Sequence, residues 1–153
     1  MKTSLFLQSE NPRSVPHPEH GAEKLYYLSN RLYKKGMYRS ANLMKRINTF
    51  FFRNYIPPSV IIGERLELPH GGCGVIIHDD TIIGNDAIVF QNVTIGNGGA
   101  RIGDRVYIGA DAVILGNVKI GDDVVIGANA VVNFSVPSGA TVVGPKSNIL
   151  VKE

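Results

Sequence analysis

Beyond Pro58 the aliphatic residues recur with a step of six. Ile102, Ile108, Ile114, Ile120, Ile126 and Val132 hold one phase, Ile77, Ile83, Val89 and Ile95 hold another, and Ile62 and Leu68 form a third block. Four places after these aliphatics stands a small or β-branched residue: Thr81, Ala87, Val93 and Gly99, then Val106, Ala112, Val118, Val124, Ala130 and Val136. A period of six is neither the 3.6 of a helix nor the alternation of a half-buried strand. It predicts a parallel β-helix, in which each hexad makes one short flat face and a turn, and three hexads make a coil. The aliphatics then stack in an interior column that no single hexad could bury alone. About a dozen hexads predict roughly four coils.

The phase slips at two internal places. Leu68 to Ile77 is a step of nine, with the extra residues falling in His70-Gly71-Gly72-Cys73-Gly74. Ile95 to Ile102 is a step of seven, with the extra residue in Gly96–Arg101. Insertions in a solenoid become surface loops, and such loops often carry binding residues. Two glycine-rich loops about one coil apart are expected to border a cleft. After Val132 the repeat ends at Pro137-Ser138-Gly139, with a last weak unit at Val143-Gly144.

Upstream the period is helical. Leu25, Leu28, Leu32 and Tyr33, then Met37, Ala41, Met44, Ile47 and Phe51, recur at steps of three and four, with Gly36 between the two runs. Two amphipathic helices are predicted, over 22–35 and 38–53, the second stopped by Pro57 and Pro58. The expected organisation is an extended arm over 1–21, a basic helical segment over 22–55, a β-helix over 56–136 and a tail over 137–153. His17 and His20 lie in the arm, among prolines and polar residues, and read as solvated.

Charge sharpens this division. The net charge is only +3, but between Ala22 and Tyr55 eight basic residues face one acid, Glu23. A solvated helix surface accounts for them most simply. The alternatives are attraction of a phosphate-bearing ligand, an anionic polymer or a membrane surface. Nothing suggests nucleic acid. A single cysteine excludes an intrachain disulfide framework and a Cys-rich zinc site. No run is long enough to span a bilayer, and the apolar stretch near the N-terminus is too short for a signal peptide. These features point to a soluble cytoplasmic protein.

The motifs Leu68-Pro-His-Gly-Gly-Cys-Gly-Val-Ile-Ile-His, Phe90-Gln-Asn-Val-Thr-Ile-Gly, Ile108-Gly-Ala, Ile114-Leu-Gly-Asn-Val-Lys-Ile-Gly and Ile126-Gly-Ala-Asn-Ala-Val-Val resemble those of hexapeptide-repeat acyltransferases. The similarity is to serine acetyltransferase and its relatives, and the short helical N-terminus resembles the polysaccharide-type subgroup. The resemblance covers about 57–151. It implies a mainly β fold, a left-handed parallel β-helix with a short N-terminal helical segment. It also implies direct acetyl transfer from acetyl-CoA to a hydroxyl, and homotrimers with active sites between subunits.

Such a transfer needs a base for the hydroxyl proton, a donor for the developing oxyanion, and two substrates held in line. Histidine is the natural base near neutral pH, and the resemblance gives that role to His70. For the pantetheine arm of acetyl-CoA it points to Gly98, Ala110 and Ala128, where small side chains let a ligand reach backbone, with Lys146 near a phosphate. Candidate acceptor contacts are His78, Glu67 and Gln91, although His78 also reads as an ordinary exposed coil residue. Cys73 is three residues from His70, as an acyl-carrying nucleophile would require, but the resemblance implies direct transfer and leaves Cys73 as a loop residue. No His and carboxylate spacing resembles a metal ligand set.

Three departures bear on the acceptor. Serine acetyltransferases have Asp before the catalytic His, where this chain has Pro69. They place the carboxylate that orients the His some fifteen positions upstream, where this chain has Tyr55. Their acceptor-binding Arg-His pair lies in the loop matching Gly96–Arg101, which here is shorter and lacks His. Glu67 and Glu64 are candidates to replace the orienting carboxylate. The expected acceptor is therefore a sugar hydroxyl of a capsular or exopolysaccharide precursor, with L-serine as the alternative and a non-catalytic β-helix scaffold as the reading from another class.

Overall fold

The computed structural model describes residues 21–145. The arm and Lys146 therefore lie outside the described residues. Helix α1 spans Gly21–Lys34 and α2 spans Tyr38–Phe52, within two residues of the predicted bounds, with Gly36 at φ 75° between them.

The rest is a left-handed parallel β-helix of two-residue strands on three faces. The first face holds β1 (Ile61–Ile62), β3 (Ile82–Ile83), β6 (Arg101–Ile102) and β9 (Lys119–Ile120). The second holds β4 (Ile88–Val89), β7 (Tyr107–Ile108), β10 (Val125–Ile126) and β12 (Thr141–Val142). The third holds β2 (Ile76–Ile77), β5 (Thr94–Ile95), β8 (Val113–Ile114) and β11 (Val131–Val132). The chain visits the faces in that order, and every ladder is parallel and in register, as Ile77↔Ile95↔Ile114↔Val132 illustrates. Within each strand the first residue points outward and the second inward, because successive side chains alternate. The interior column Ile77, Ile83, Val89, Ile95, Ile108, Ile114 and Ile126 is almost wholly buried.

The corners explain the rest of the hexad. A positive φ recurs at Arg65, Asp86, Asn92, Arg105, Asp111, Asn117, Asp123 and Asn129, mostly Asn and Asp, which tolerate that conformation best among residues with a side chain. Arg65 to Asp86 and Arg105 to Asp123 form ion pairs along the first-to-second corner. The guanidinium of Arg65 holds the Asp86 carboxyl below its ordinary pKa.

Two details of the repeat differ from the sequence reading. The small residue before β6 is Ala100, fully buried, rather than the half-exposed Gly99, because the extra residue precedes it. The last coil closes on Val142, which packs against the core, while Val143 is exposed. The last unit therefore lies one residue earlier than expected.

Helix α1 closes the first coil. Ala22 and Tyr26 share one apolar cluster with Ile56, Val60 and Leu66. The buried side of α1 is Ala22, Glu23, Tyr26, Ser29 and Asn30, whereas Leu28 and Tyr33, expected inside, are exposed. The physical reason is that a terminal coil has backbone groups with no further coil to pair with. Tyr26 donates its hydroxyl to the Val60 carbonyl and accepts from Ile62 N–H. Asn30 donates to the carbonyls of Pro58 and Val60, and Tyr27 donates to Gly63 and accepts from Leu66 N–H. Burial raises the Tyr26 hydroxyl well above the usual phenol range, so it stays protonated.

Coil spacing also forbids side chains at some corners. A Cβ on Gly116 would overlap the Asn97 carbonyl, and Asn117 N–H donates to Gly98 carbonyl across the same contact. Gly116→Ala is expected to cost about 1–3 kcal/mol as an overpacked site, read as a fall in melting temperature, and to displace the Gly96–Arg101 loop.

Candidate active site

The turn Pro69–Gly72 lies on the second-to-third corner. The chain takes seven residues here, 69–75, against four at the equivalent corner Phe90–Val93, which is the three-residue slip seen in the sequence. His70 has φ 58° and ψ 26°, Gly71 φ 70° and Gly72 φ 65°, so three consecutive residues have positive φ, and His70 is exposed. A non-glycine residue pays for this conformation in strain. The surrounding structure holds it. Gly74 N–H donates to Arg53 carbonyl at 3.1 Å and Val75 N–H to Gly72 carbonyl at 3.0 Å. A Cβ on Gly71 would lie 2.7 Å from the Phe52 ring, so the end of α2 braces the turn.

Glu23 is the contact that sequence reading missed. It is buried on α1, and its Oε1 accepts the Leu68 N–H at 2.6 Å, two residues before His70. Its only signal was being the lone acid in a basic segment. Glu23→Ala is expected to destabilise the protein by about 1–3 kcal/mol by orphaning that buried N–H. Glu23→Gln, which keeps an acceptor, should restore most of the loss in thermal unfolding.

Around His70 the walls are aromatic. Its ring meets Phe90 edge-on, with centroids 6.5 Å apart, and Phe90 packs on Tyr107 at 5.1 Å. Burial raises the Tyr107 hydroxyl above its ordinary pKa, leaving a neutral hydroxyl on the second face. Glu67 pairs with Ile88 on that face. Its Oε2 is buried with no hydrogen-bond partner among the described residues, and Gln91 Oε1 is in the same state. Buried acceptors of this kind are normally satisfied, and each would have to turn outward to meet a donor on a ligand.

The same corner forms a ladder down the solenoid. Asn92 N–H donates to Cys73 carbonyl at 2.9 Å, Asp111 N–H to Gln91 carbonyl at 3.1 Å, and Asn129 N–H to Ala110 carbonyl at 2.9 Å. The His70 turn, Gln91, Ala110 and Ala128 therefore stand in register on one edge.

Gly98 and His78 do not join them. Both lie on the third-to-first corner, where a cleft of about 630 Å³ is lined by Asp79, Asp80, Gly98, Gly99, Arg101 and Lys119. Arg101 there donates to the carbonyls of Asp80 and Gly99. The two glycine-rich loops thus occupy different corners and do not border one cleft within a single chain. A slip adds residues but does not say which corner receives them; that follows from counting faces.

Of the other candidates, Glu64 sits on the first-to-second corner, one face away from the turn, and pairs with Arg65. Tyr55 pairs with Ile76 on the third face, and Lys45 Nζ lies 4.7 Å above its ring. A cation thus stands where a carboxylate was looked for. Cys73 and His78 are exposed. Among the described residues no group of three or more His, Cys, Asp or Glu gathers as metal ligands.

Similarity to known proteins bears on this coil of hexads and its enlarged histidine turn. Residues 99–133 match the family described as bacterial transferase hexapeptide (six repeats). The chain is 40% identical over 135 residues to a serine acetyltransferase of Staphylococcus epidermidis, covering 84% of this chain and 63% of that protein. A serine acetyltransferase structure in complex with CoA superposes with TM-score 0.76 at 31% identity, and one from Neisseria gonorrhoeae in complex with serine with TM-score 0.75 at 34%. Each superposition covers 84% of this chain and 55% of the other. Residues 99–133 thus carry the hexapeptide transferase repeat, and the chain is similar to serine acetyltransferases over 84% of its length. It spans less than two thirds of the length of the relatives it matches.

Proposed function

We propose that the protein is an acetyl-CoA-dependent O-acetyltransferase with His70 as general base and L-serine as acceptor. The observation that carries this reading is the second-to-third corner. An exposed histidine on an enlarged, braced turn heads a ladder of Gln91, Ala110 and Ala128, and the small side chains of the last two leave backbone within reach of an extended thioester arm.

In the proposed reaction His70 removes the proton from the acceptor hydroxyl as its oxygen attacks the acetyl carbonyl carbon. The tetrahedral oxyanion collapses, the carbon–sulfur bond breaks, and the departing thiolate takes the proton back from His70. The products are an O-acetyl ester and free CoA. Of the backbone N–H groups on the turn, that of the exposed Cys73 is a candidate for the oxyanion, since those of Gly74 and Val75 are already engaged.

Similarity to serine acetyltransferases favours L-serine over the sugar expected from the sequence departures. A candidate partner for the serine ammonium is Glu67, three residues before His70 on the second face, whose buried Oε2 has no partner among the described residues and would reach the ammonium by turning outward. A sugar acceptor keeps one observation in its favour, since Pro69 and a Tyr55 covered by Lys45 replace two carboxylates. Within one chain Gly98 and His70 stand on separate corners. A neighbouring copy in a homotrimer would bring the Gly98 cleft, with Arg101 and Lys119, to the His70 corner of the next.

The test is mass spectrometry of acceptors incubated with acetyl-CoA and the protein. An acetyl adduct on L-serine supports the reading. An adduct on sugars or nucleotide sugars alone transfers the acceptor to the second reading. No adduct, together with no CoA binding by calorimetry, leaves a scaffold.

A further inference from the structure

Helix α2 carries a face that the coil does not use. Its buried residues are Ala41 and Asn48. At 100° per residue, Arg39, Leu43, Arg46 and Phe50 fall in one stripe on the opposite side, and Arg53 follows at the helix end. Phe50 is 79% exposed, the adjoining Phe51 70% and Leu43 54%. The two phenyl rings meet edge to face, 5.3 Å apart, and both stay exposed among the described residues. Arg39, Ser40, Asn42, Leu43 and Arg46 line a shallow cleft on this side. From Lys24 to Gly63 the chain has no acidic residue.

We propose that this face of α2 docks the protein on an anionic phospholipid surface. Cationic side chains interleaved with Leu and Phe on a solvent-facing helix are what the interfacial region of a bilayer accommodates. Arginines meet headgroup phosphates while the apolar side chains enter the acyl boundary. Charge decides between this occupant and a second copy of the chain: apposing two such faces would bring arginines against arginines with no acid to pair them. A single-stranded nucleic acid is usually held in a basic groove with stacked bases; the cleft here is shallow and no aromatic side chain lines it. Among the described residues no helix is long and apolar enough to cross a membrane, so the attachment is peripheral.

Flotation of the full chain with lipid vesicles tests this. The expected result is recovery with vesicles of equal parts phosphatidylcholine and phosphatidylglycerol, little recovery with phosphatidylcholine alone, and weakening as salt is raised. Arg39→Glu with Arg46→Glu, and separately Phe50→Ser with Phe51→Ser, should each lower binding about tenfold or more. Because these side chains are exposed, melting temperatures should be unchanged. Absence of wild-type binding to the anionic vesicles overturns the proposal. So does full binding by the Phe50/Phe51 variant, which would make the face a plain polyanion patch. A drop in subunit number for that variant by sedimentation also overturns it, since the face would then join copies of the chain.

Discussion

His70→Ala is expected to lower the rate of acetyl transfer by about 10²–10⁴-fold, the usual contribution of a positioned general base, with CoA affinity essentially unchanged. The imidazole projects from a turn whose backbone is held by Glu23, Arg53 and Phe52, so removing the side chain leaves the turn in place. Its exposure means that little packing beyond the edge contact with Phe90 is lost, and melting temperature should nearly hold. Single-turnover thiol release separates the two quantities. A variant that loses CoA binding along with turnover would make His70 a binding group. His70→Asn, which preserves polarity but not basicity, should be as inactive as the alanine variant.

Glu67→Gln is expected to raise the KM for L-serine about 10–100-fold while leaving the KM for acetyl-CoA unchanged, the loss of one charge-assisted hydrogen bond to an ammonium. The buried oxygen with no partner makes the direction of the stability effect distinctive. Glutamine keeps an oxygen and the shape of the side chain while the unpartnered Oε2 loses no hydrogen bond, so the variant should melt at the same temperature or higher. Lower stability with unchanged KM would mean that Glu67 serves the fold alone. Neutral sugar acceptors, having no ammonium, should be nearly indifferent to the change.

The coil was legible because one constraint dominates it. Ile77, Ile83, Val89 and Ile95 must enter the same narrow interior, and a six-residue step is the only way this chain satisfies that. The enlarged turn was legible for the same reason, as a break in an otherwise strict count. The helices were legible in extent but not in orientation. Apolar spacing pointed Leu28 and Tyr33 inward, yet the end of a coil stack needs hydrogen-bonding groups, and Ser29, Asn30 and Tyr26 supply them. Glu23 escaped notice because its partner, the Leu68 N–H, lies 45 residues away and no local pattern marks it. Gly98 was grouped with Ala110 and Ala128 by resemblance, whereas the corner each occupies depends on counting three faces through two slips.

The most direct test is the initial rate of thiol release from acetyl-CoA as L-serine concentration is raised, in wild type and His70→Ala. Saturable, serine-dependent release that the variant lacks is the predicted result. Release that is independent of serine, or equal in the two proteins, would contradict it.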